Sequence, residues 1–322
     1  MRLNFYIILI IQVISLVFES NACTSFCIKK SKMVYLAKNL DWKVESGYLF
    51  VNERNVNKYI LNQENFRWCS KYRSITFNQF GKEFPLGGMN EMGLVIEELN
   101  MPTVALIVDS TKQLINELQL VQYILDNCKS IEESIHLLTK FQCEPLFLSL
   151  HYIIADKQGN IVIVEFNGSD FNVYPTGQTG LSILSNNNYN ESLKYLTKFQ
   201  GFGGDLPIKN REGSNERFVS VANLLAHYNN QNPISYAFQI LDTVKQEDTR
   251  WSLVYDIKNL KVIFKFHSCS KVKEFNFKNL NKLESLSSLG GNLSSCNLIS
   301  NNDLKPVSSE ENTQLSHNVF SR

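Results

Sequence analysis

Ser20-Asn21-Ala22-Cys23-Thr24-Ser25-Phe26 is the stretch from which the rest of the chain can be read. Ahead of it stand Arg2 and an apolar run from Phe5 to Phe18, and small residues occupy the third and first positions before Cys23. That is the layout of a secretory signal with an A-x-A-like cleavage site at Ser20 and Ala22, so residues 1–22 are expected to be removed on export to a periplasmic or secreted location. Cutting there leaves Cys23 first, with a thiol and a free α-amine on one residue. An α-amine titrates ordinarily at about 7.7 to 8.0, so it can take the thiol proton and leave a thiolate nucleophile with no histidine nearby. Two other readings stay open here. Cys23 could be acylated in a lipoprotein box, although Ser20 stands where that box wants leucine, or it could be an ordinary buried thiol.

The chain has 322 residues, 43% of them hydrophobic and 20% charged, with a formal net charge of +1. This is the composition of a globular protein of one large or two small domains, and near-neutral charge argues against a nucleic-acid partner. The N-terminal apolar run is too short and too early for a membrane span, and no later window reaches about 18 apolar residues, so no stable membrane insertion is expected after cleavage. Seven cysteines, an odd number in an exported chain, suit one working thiol left unpaired. No CxxC pair occurs and the five histidines are scattered, so no metal and no cofactor are expected. Disulfides among the other six cysteines are allowed, with connectivity open.

Downstream of Cys23, Thr24 to Ile28 and Met33 to Leu40 read as a β-hairpin turned by Lys29-Lys30-Ser31-Lys32. Its register returns Lys38 to Trp42 to the side of Cys23, with Asp41 in reach of the new α-amine. Strands follow at Tyr48 to Asn52 and Ile75 to Phe77, and a turn at Asn90 to Gly93 leads into a strand ending at Asn100. Apolar stripes predict helices over Lys112 to Asn127 and Ile131 to Leu138, the second opened by a Ser130/Glu133 capping box. Strands are expected at Phe147 to Ala155, Ile161 to Phe166 and Leu181 to Ser185, the last ending in Asn186-Asn187-Asn188. Helices are expected over Glu191 to Phe199, Asn215 to His227 with Ser214 as cap, and Asn232 to Val244. A final hairpin runs from Trp251 to Phe266. Arg217 in the first turn of its helix opposes the dipole, a placement that needs a compensating carboxylate or an active-site role. Residues 284–322, rich in Ser and Asn, are expected to lack a fixed core.

Cys23-Thr24-Ser25-Phe26, Lys38-Asn39-Leu40-Asp41-Trp42, Gly88-Met89-Asn90-Glu91-Met92-Gly93-Leu94 leading to Glu98-Leu99-Asn100, Leu184-Ser185-Asn186-Asn187 and Glu216-Arg217-Phe218 occur in that order. Together they resemble the choloylglycine hydrolase family, linear amide hydrolases that include bile salt hydrolases and penicillin V acylases. The resemblance implies an α+β, four-layer αββα N-terminal nucleophile hydrolase over residues 23–283, two antiparallel sheets face to face with helices outside both. It implies that Cys23 is nucleophile and, through its α-amine, base; that Asp41 holds that amine; that Asn100 and Asn186 line an oxyanion hole; and that Arg217 steadies the nucleophile and its neighbours. An asparagine suits an oxyanion hole because its amide donates without titrating. Lys38 departs from the arginine usual in bile salt hydrolases, keeping the charge and losing the planar fork. The stretch from Asn186 to Arg217 is shorter than the loop through which the tetrameric bacterial enzymes assemble, so the tetramer is not carried over and the oligomeric state stays open.

The function expected is therefore an exported cysteine amidase that cleaves a small-molecule N-acyl amide through a thioester. The alternative is a lipid-anchored or catalytically inactive binding protein on the same fold. A papain-like pair would need a specific histidine, with His151 and His227 as candidates. Loops over 44–57 and 62–70 are expected to wall the substrate pocket, where Trp42, Phe66, Trp68 and Tyr72 offer aromatic surface without specifying a substrate.

Overall fold

The computed structural model describes residues 22–320 apart from 62, 147, 178–179, 210–212, 281–288 and 299. Residues 1–21 of the expected signal, and the expected boundary at 283/284, lie outside the described residues. The N-terminal hairpin forms as predicted. β1 (Thr24–Lys30) and β2 (Met33–Asp41) pair antiparallel with Thr24 opposite Asn39, turned at Ser31, which sits at φ 56°. Its apolar, β-branched residues are buried, so this register fixes which end of β2 lies beside Cys23.

Around that hairpin grows a six-stranded sheet in the order β14 (Ile183–Leu184), β1, β2, β15 (Thr249–Asp256), β16 (Lys261–Phe266), β17 (Cys269–Asn276). A second sheet of nine strands has the order β13 (Asp170–Pro175), β12 (Ile161–Asn167), β11 (Leu150–Ala155), β8 (Val95–Asn100), β7 (Pro85–Asn90), β6 (Ser74–Asn78), β3 (Tyr48–Asn52), β18 (Leu289–Asn292), β19 (Lys305–Pro306). Every pairing in both is antiparallel. The sheets meet face to face: Phe77 of the second packs on Trp251, Tyr255 and Phe264 of the first, at ring separations of 6.4, 6.3 and 5.3 Å. Full burial of side chains of this size stabilises the sandwich by roughly 1.5–3 kcal/mol apiece. Outside, the helix Glu117–Asn127 lies on β7 and β8, and the helix Pro233–Thr243 lies on β2 and β15. This is the α+β, αββα arrangement expected.

Some boundaries differ. Gln113–Ile115 (β9) pairs parallel with Phe141–Cys143 (β10) instead of opening a helix. The helix begins at Glu117 because the Asn116 side chain accepts from the backbone N–H groups of Leu118 and Gln119. A small hairpin, β4 (Asn57–Ile60) with β5 (Gln63–Cys69), and the strands β13 and β17 were not foreseen.

The larger correction concerns the C-terminal segment, expected to lack a fixed core. β18 pairs with β3, Leu289 opposite Val51, and Leu289, Leu293, Leu298, Leu304 and Leu315 are buried. A Cys269–Cys296 disulfide ties the segment to β17. The buried Lys273 ammonium donates to the carbonyls of Leu293 at 2.5 Å and Ser295 at 2.9 Å. A few well-spaced leucines and a covalent tie suffice where average composition suggests disorder. Among the described residues no helix is long and apolar enough to cross a membrane.

Candidate active site

Cys23 lies at the start of β1, with its Sγ 3.8 Å from the Asp41 carbonyl oxygen, a long thiol hydrogen bond. It is buried, and desolvation pushes its thiol up to about 12, an effect that the Lys38 ammonium opposes. In this state Cys23 follows Ala22 through an ordinary peptide bond, so the thiol has no amine beside it.

Asp41 ends β2, and it is its backbone carbonyl that lies against the Cys23 thiol. The Thr249 hydroxyl donates to Asp41 Oδ1, while Oδ2, also buried, has no hydrogen-bond partner among the described residues. Burial with one bare oxygen raises the carboxyl to about 7, against the lowering by Thr249 and by the Arg217 charge. Thr249 escaped sequence reading because it sits 208 residues away, brought opposite Asp41 by the β15–β2 register.

Arg217 organises the other side. It is buried in the first turn of the helix Ser214–Ala226. Its Nε donates to Thr24 Oγ1 at 3.0 Å, and its Nη2 to the Cys23 carbonyl at 3.3 Å and to Asn186 Oδ1 at 2.8 Å. With Oδ1 facing the guanidinium, the Asn186 amide can take only one flip, and Nδ2 donates to the Asn100 carbonyl at 2.9 Å. An amide nitrogen carries two hydrogens, so one remains for a ligand. Ser214 was expected to cap the helix. Gly213 stands at that position, and the Ser214 hydroxyl accepts instead from the Asn186 N–H at 2.8 Å. The loop donor takes the hydroxyl because it too is a part-buried N–H needing an acceptor.

Lys38 stands between the sheets. Its ammonium donates to the Glu98 carbonyl at 2.6 Å, Glu98 Oε1 at 3.1 Å and Glu97 Oε2 at 3.0 Å, which uses all three hydrogens. The Tyr255 hydroxyl donates to Glu97 Oε1 at 2.5 Å. The two carboxylates raise the Lys38 pKa against its burial, so it stays charged, and that charge favours a thiolate at Cys23. Gly87 lies opposite Glu97 because a Cβ there would sit 2.1 Å from that carboxylate. Two adjacent acids in an otherwise apolar strand were the signal, not taken up, that a buried cation waits opposite.

The structure thus brings Cys23, Lys38, Asp41, Asn100, Asn186 and Arg217 into one connected group. Trp42 follows Asp41, partly buried, with its backbone N–H on the Asp248 carbonyl at 3.0 Å. Phe66 and Trp68 are on β5, and Trp68 lines a cavity of about 590 Å³ with Glu53, Val56 and Asn57. Both pack on Tyr123, and the Trp68 indole donates to Asp126 Oδ2 at 2.7 Å. His151 pairs with Glu165 and His227 Nδ1 with the Asn223 carbonyl, and among the described residues neither is hydrogen-bonded to Cys23. Among the described residues no group of three or more His, Cys, Asp or Glu could hold a metal ion.

A buried cysteine at the head of a β-sandwich, with an arginine bridging its carbonyl to an asparagine amide, fits an amide hydrolase of the N-terminal nucleophile type, the class that the family match gives. Residues 23–213, more than half of the chain, match the family model of the linear amide C-N hydrolases, choloylglycine hydrolase family, and the chain belongs to that family. Among solved structures it resembles penicillin V acylase from Agrobacterium tumefaciens, at 23% identity and a TM-score of 0.74, covering 89% of this chain and 98% of that one. Two variants of conjugated bile acid hydrolase from Clostridium perfringens are also similar. One has 17% identity and a TM-score of 0.66, covering 82% and 94%, and the other 16% and 0.67, covering 90% and 97%. At these identities the likeness concerns the fold. No match was found among curated proteins. The chain is a hydrolase of linear amide carbon-nitrogen bonds that acts on small-molecule acyl amides.

Proposed function

We propose that signal removal before Cys23 exports this amidase and completes its active site in one cut. The observation that carries the reading is the convergence of Arg217 on the Cys23 carbonyl, Thr24 and Asn186, which pins the residue that would become the terminus, with a bare carboxylate oxygen on Asp41, whose carbonyl meets the Cys23 thiol. With Ala22 attached, burial pushes the thiol up to about 12, which favours the protonated, weakly nucleophilic form. Cleavage frees an amine on the same residue. Its ammonium form finds an acceptor in the bare Asp41 Oδ2, and it lies close enough to take the thiol proton. The thiolate sulfur then bonds to the amide carbon, and the carbonyl electron pair moves onto oxygen. That oxyanion takes the spare Asn186 Nδ2 hydrogen, with Asn100 as the second lining residue. Collapse breaks the C–N bond as the amine leaving group receives the proton, leaving a thioester that water cleaves by the same steps in reverse order.

Export is supported by the Cys269–Cys296 disulfide, a bond that persists in oxidising compartments. Trp42, adjoining Asp41, is the aromatic group best placed to meet substrate. The substrates named for the similar structures, penicillin V and conjugated bile acids, are the first to try. The decisive experiment joins intact-mass and N-terminal sequencing of the secreted protein to turnover of an N-acyl amide panel. A mature chain starting at an unmodified Cys23, with turnover abolished by Cys23→Ala, is the expected result. A different first residue, a blocked or acylated amine, or undiminished turnover by Cys23→Ala overturns the reading.

A further inference from the structure

The Asn186 amide is held from its upstream side by Ser214 and Arg217. Three residues downstream a helix begins, Tyr189–Leu196, whose own cap residue, Asn188, supplies no side-chain hydrogen bond. The missing acceptor comes from the second sheet. Glu165 on β12 is buried, and its Oε1 accepts from the Tyr189 N–H at 2.7 Å. His151, directly across on β11 and fully buried, places Nδ1 3.1 Å from the same oxygen. The ring nitrogen Nε2 has no hydrogen-bond partner among the described residues. A proton on Nε2 would orphan a buried donor and turn a lone pair toward the carboxylate, so the chemistry assigns it to Nδ1. On the other side of β11, His151 stands opposite Leu99, the neighbour of Asn100. A negative group at a helix N-terminus is favoured by the dipole, and a charge-assisted bond to a backbone N–H is strong.

We infer that Glu165, oriented by His151, is a positioning residue for the oxyanion donor Asn186, acting through the first turn of the helix Tyr189–Leu196. The inference rests on the proposed role of Asn186. Glu165 fixes the far end of the Ser185–Asn188 segment, so that the amide is clamped between two anchors rather than hinged on one. His151 keeps the carboxylate turned toward the Tyr189 N–H. The pair touches neither Cys23 nor Asp41, so it sets the placement of a donor and not the reactivity of the thiol.

The test compares Glu165→Ala, Glu165→Gln, His151→Ala and His151→Asn in the mature enzyme. Three readouts are taken: kcat and KM for one turned-over amide, the rate of Cys23 alkylation by iodoacetamide, which needs no oxyanion donor, and thermal unfolding. Glu165→Ala should lower kcat by about 10- to 100-fold, short of the roughly 10²- to 10³-fold typical of deleting a donor outright, with KM and alkylation within about twofold of wild type. Glu165→Gln keeps an acceptor oxygen and should lose less. His151→Asn, whose amide can donate from near the Nδ1 position, should recover most of what His151→Ala loses.

Unchanged kcat in folded Glu165→Ala overturns the inference, as does a loss carried by KM alone or one matched by slower alkylation. Should the alanine variant fail to fold, Glu165→Gln with wild-type kcat overturns it equally. An active wild type silenced by Cys23→Ala, with every Glu165 variant fully active, leaves the proposed function standing and sinks only this inference. A wild type with no turnover on any amide sinks both.

Discussion

Two buried aspartates in this molecule sit in opposite circumstances. Asp126, on the outer side of the nine-stranded sheet, is saturated: its carboxylate accepts from Lys58 Nζ at 2.8 Å, the Trp68 indole at 2.7 Å and Gln122 Nε2 at 2.8 Å. Asp41, beside Cys23, has one oxygen on Thr249 and the other bare, and its carboxyl is raised to about 7. A carboxylate whose lone pairs are all used is a fastener. One that is buried and half-used is poised for a partner, here the amine that cleavage would release.

That contrast can be broken most severely at Asp41. Asp41→Asn keeps the size and removes the charge that would hold the α-amine, and should lower kcat/KM of the mature enzyme by up to the roughly 10²- to 10⁴-fold that a positioned base contributes. Its effect on stability has a worked sign. In the chain that still carries Ala22, the folded pKa of Asp41 is above its ordinary value, so the fold binds the proton more tightly than the unfolded chain does. The associated stability is present at about pH 4 and lost as pH rises through 7. Unfolding of Cys23→Ala protein with the leader retained should therefore show stability falling between pH 4 and 7, and adding Asp41→Asn should flatten that fall. A flat profile before the second substitution would contradict the assignment.

Asp126→Ala is the converse experiment. It strands Lys58 and two further donors, and should cost about 3–5 kcal/mol in denaturant unfolding, while kcat of the folded fraction stays within about twofold. The smallest effect is expected at Ser214→Ala. Removing the acceptor of the Asn186 N–H should cost about 1 kcal/mol, read as a roughly fivefold lower kcat with KM unchanged. A KM effect instead would mean that Ser214 faces substrate.

What was legible in the sequence follows from how far apart the partners lie. The β1–β2 hairpin is local, so alternation and a charged turn sufficed to bring Asp41 to Cys23. Asn100, Asn186 and Arg217 come from three remote segments; Arg217 stood out by opposing its helix dipole, while the two asparagines were singled out only by resemblance to a family's motifs. Thr249 and the Lys38–Glu97–Glu98 cluster depend on the register between strands far apart in sequence, which composition does not encode. Ser214 misled because its local pattern fits a cap, while a tertiary donor claims its oxygen. Of the aromatic residues expected to wall a pocket, Trp68 lines a cavity of about 590 Å³ with Glu53, Val56 and Asn57, while Phe66 packs on Tyr123. The Ser- and Asn-rich end misled through averaging: Gly290 and Gly291 allow β18 to lie close, with a Cβ at Gly290 meeting Val307 at 2.8 Å and one at Gly291 meeting Leu298 at 2.7 Å.

β18 and β19 also guard the rim of the larger sheet. Among the described residues nothing else pairs with β3 on that side, so a protein trimmed after residue 283 would leave Tyr48–Asn52 with a naked row of amides and carbonyls along a buried, apolar strand. Such a rim invites strand addition from another molecule. Shortening the chain for tidiness would exchange a capped rim for one that sticks to itself.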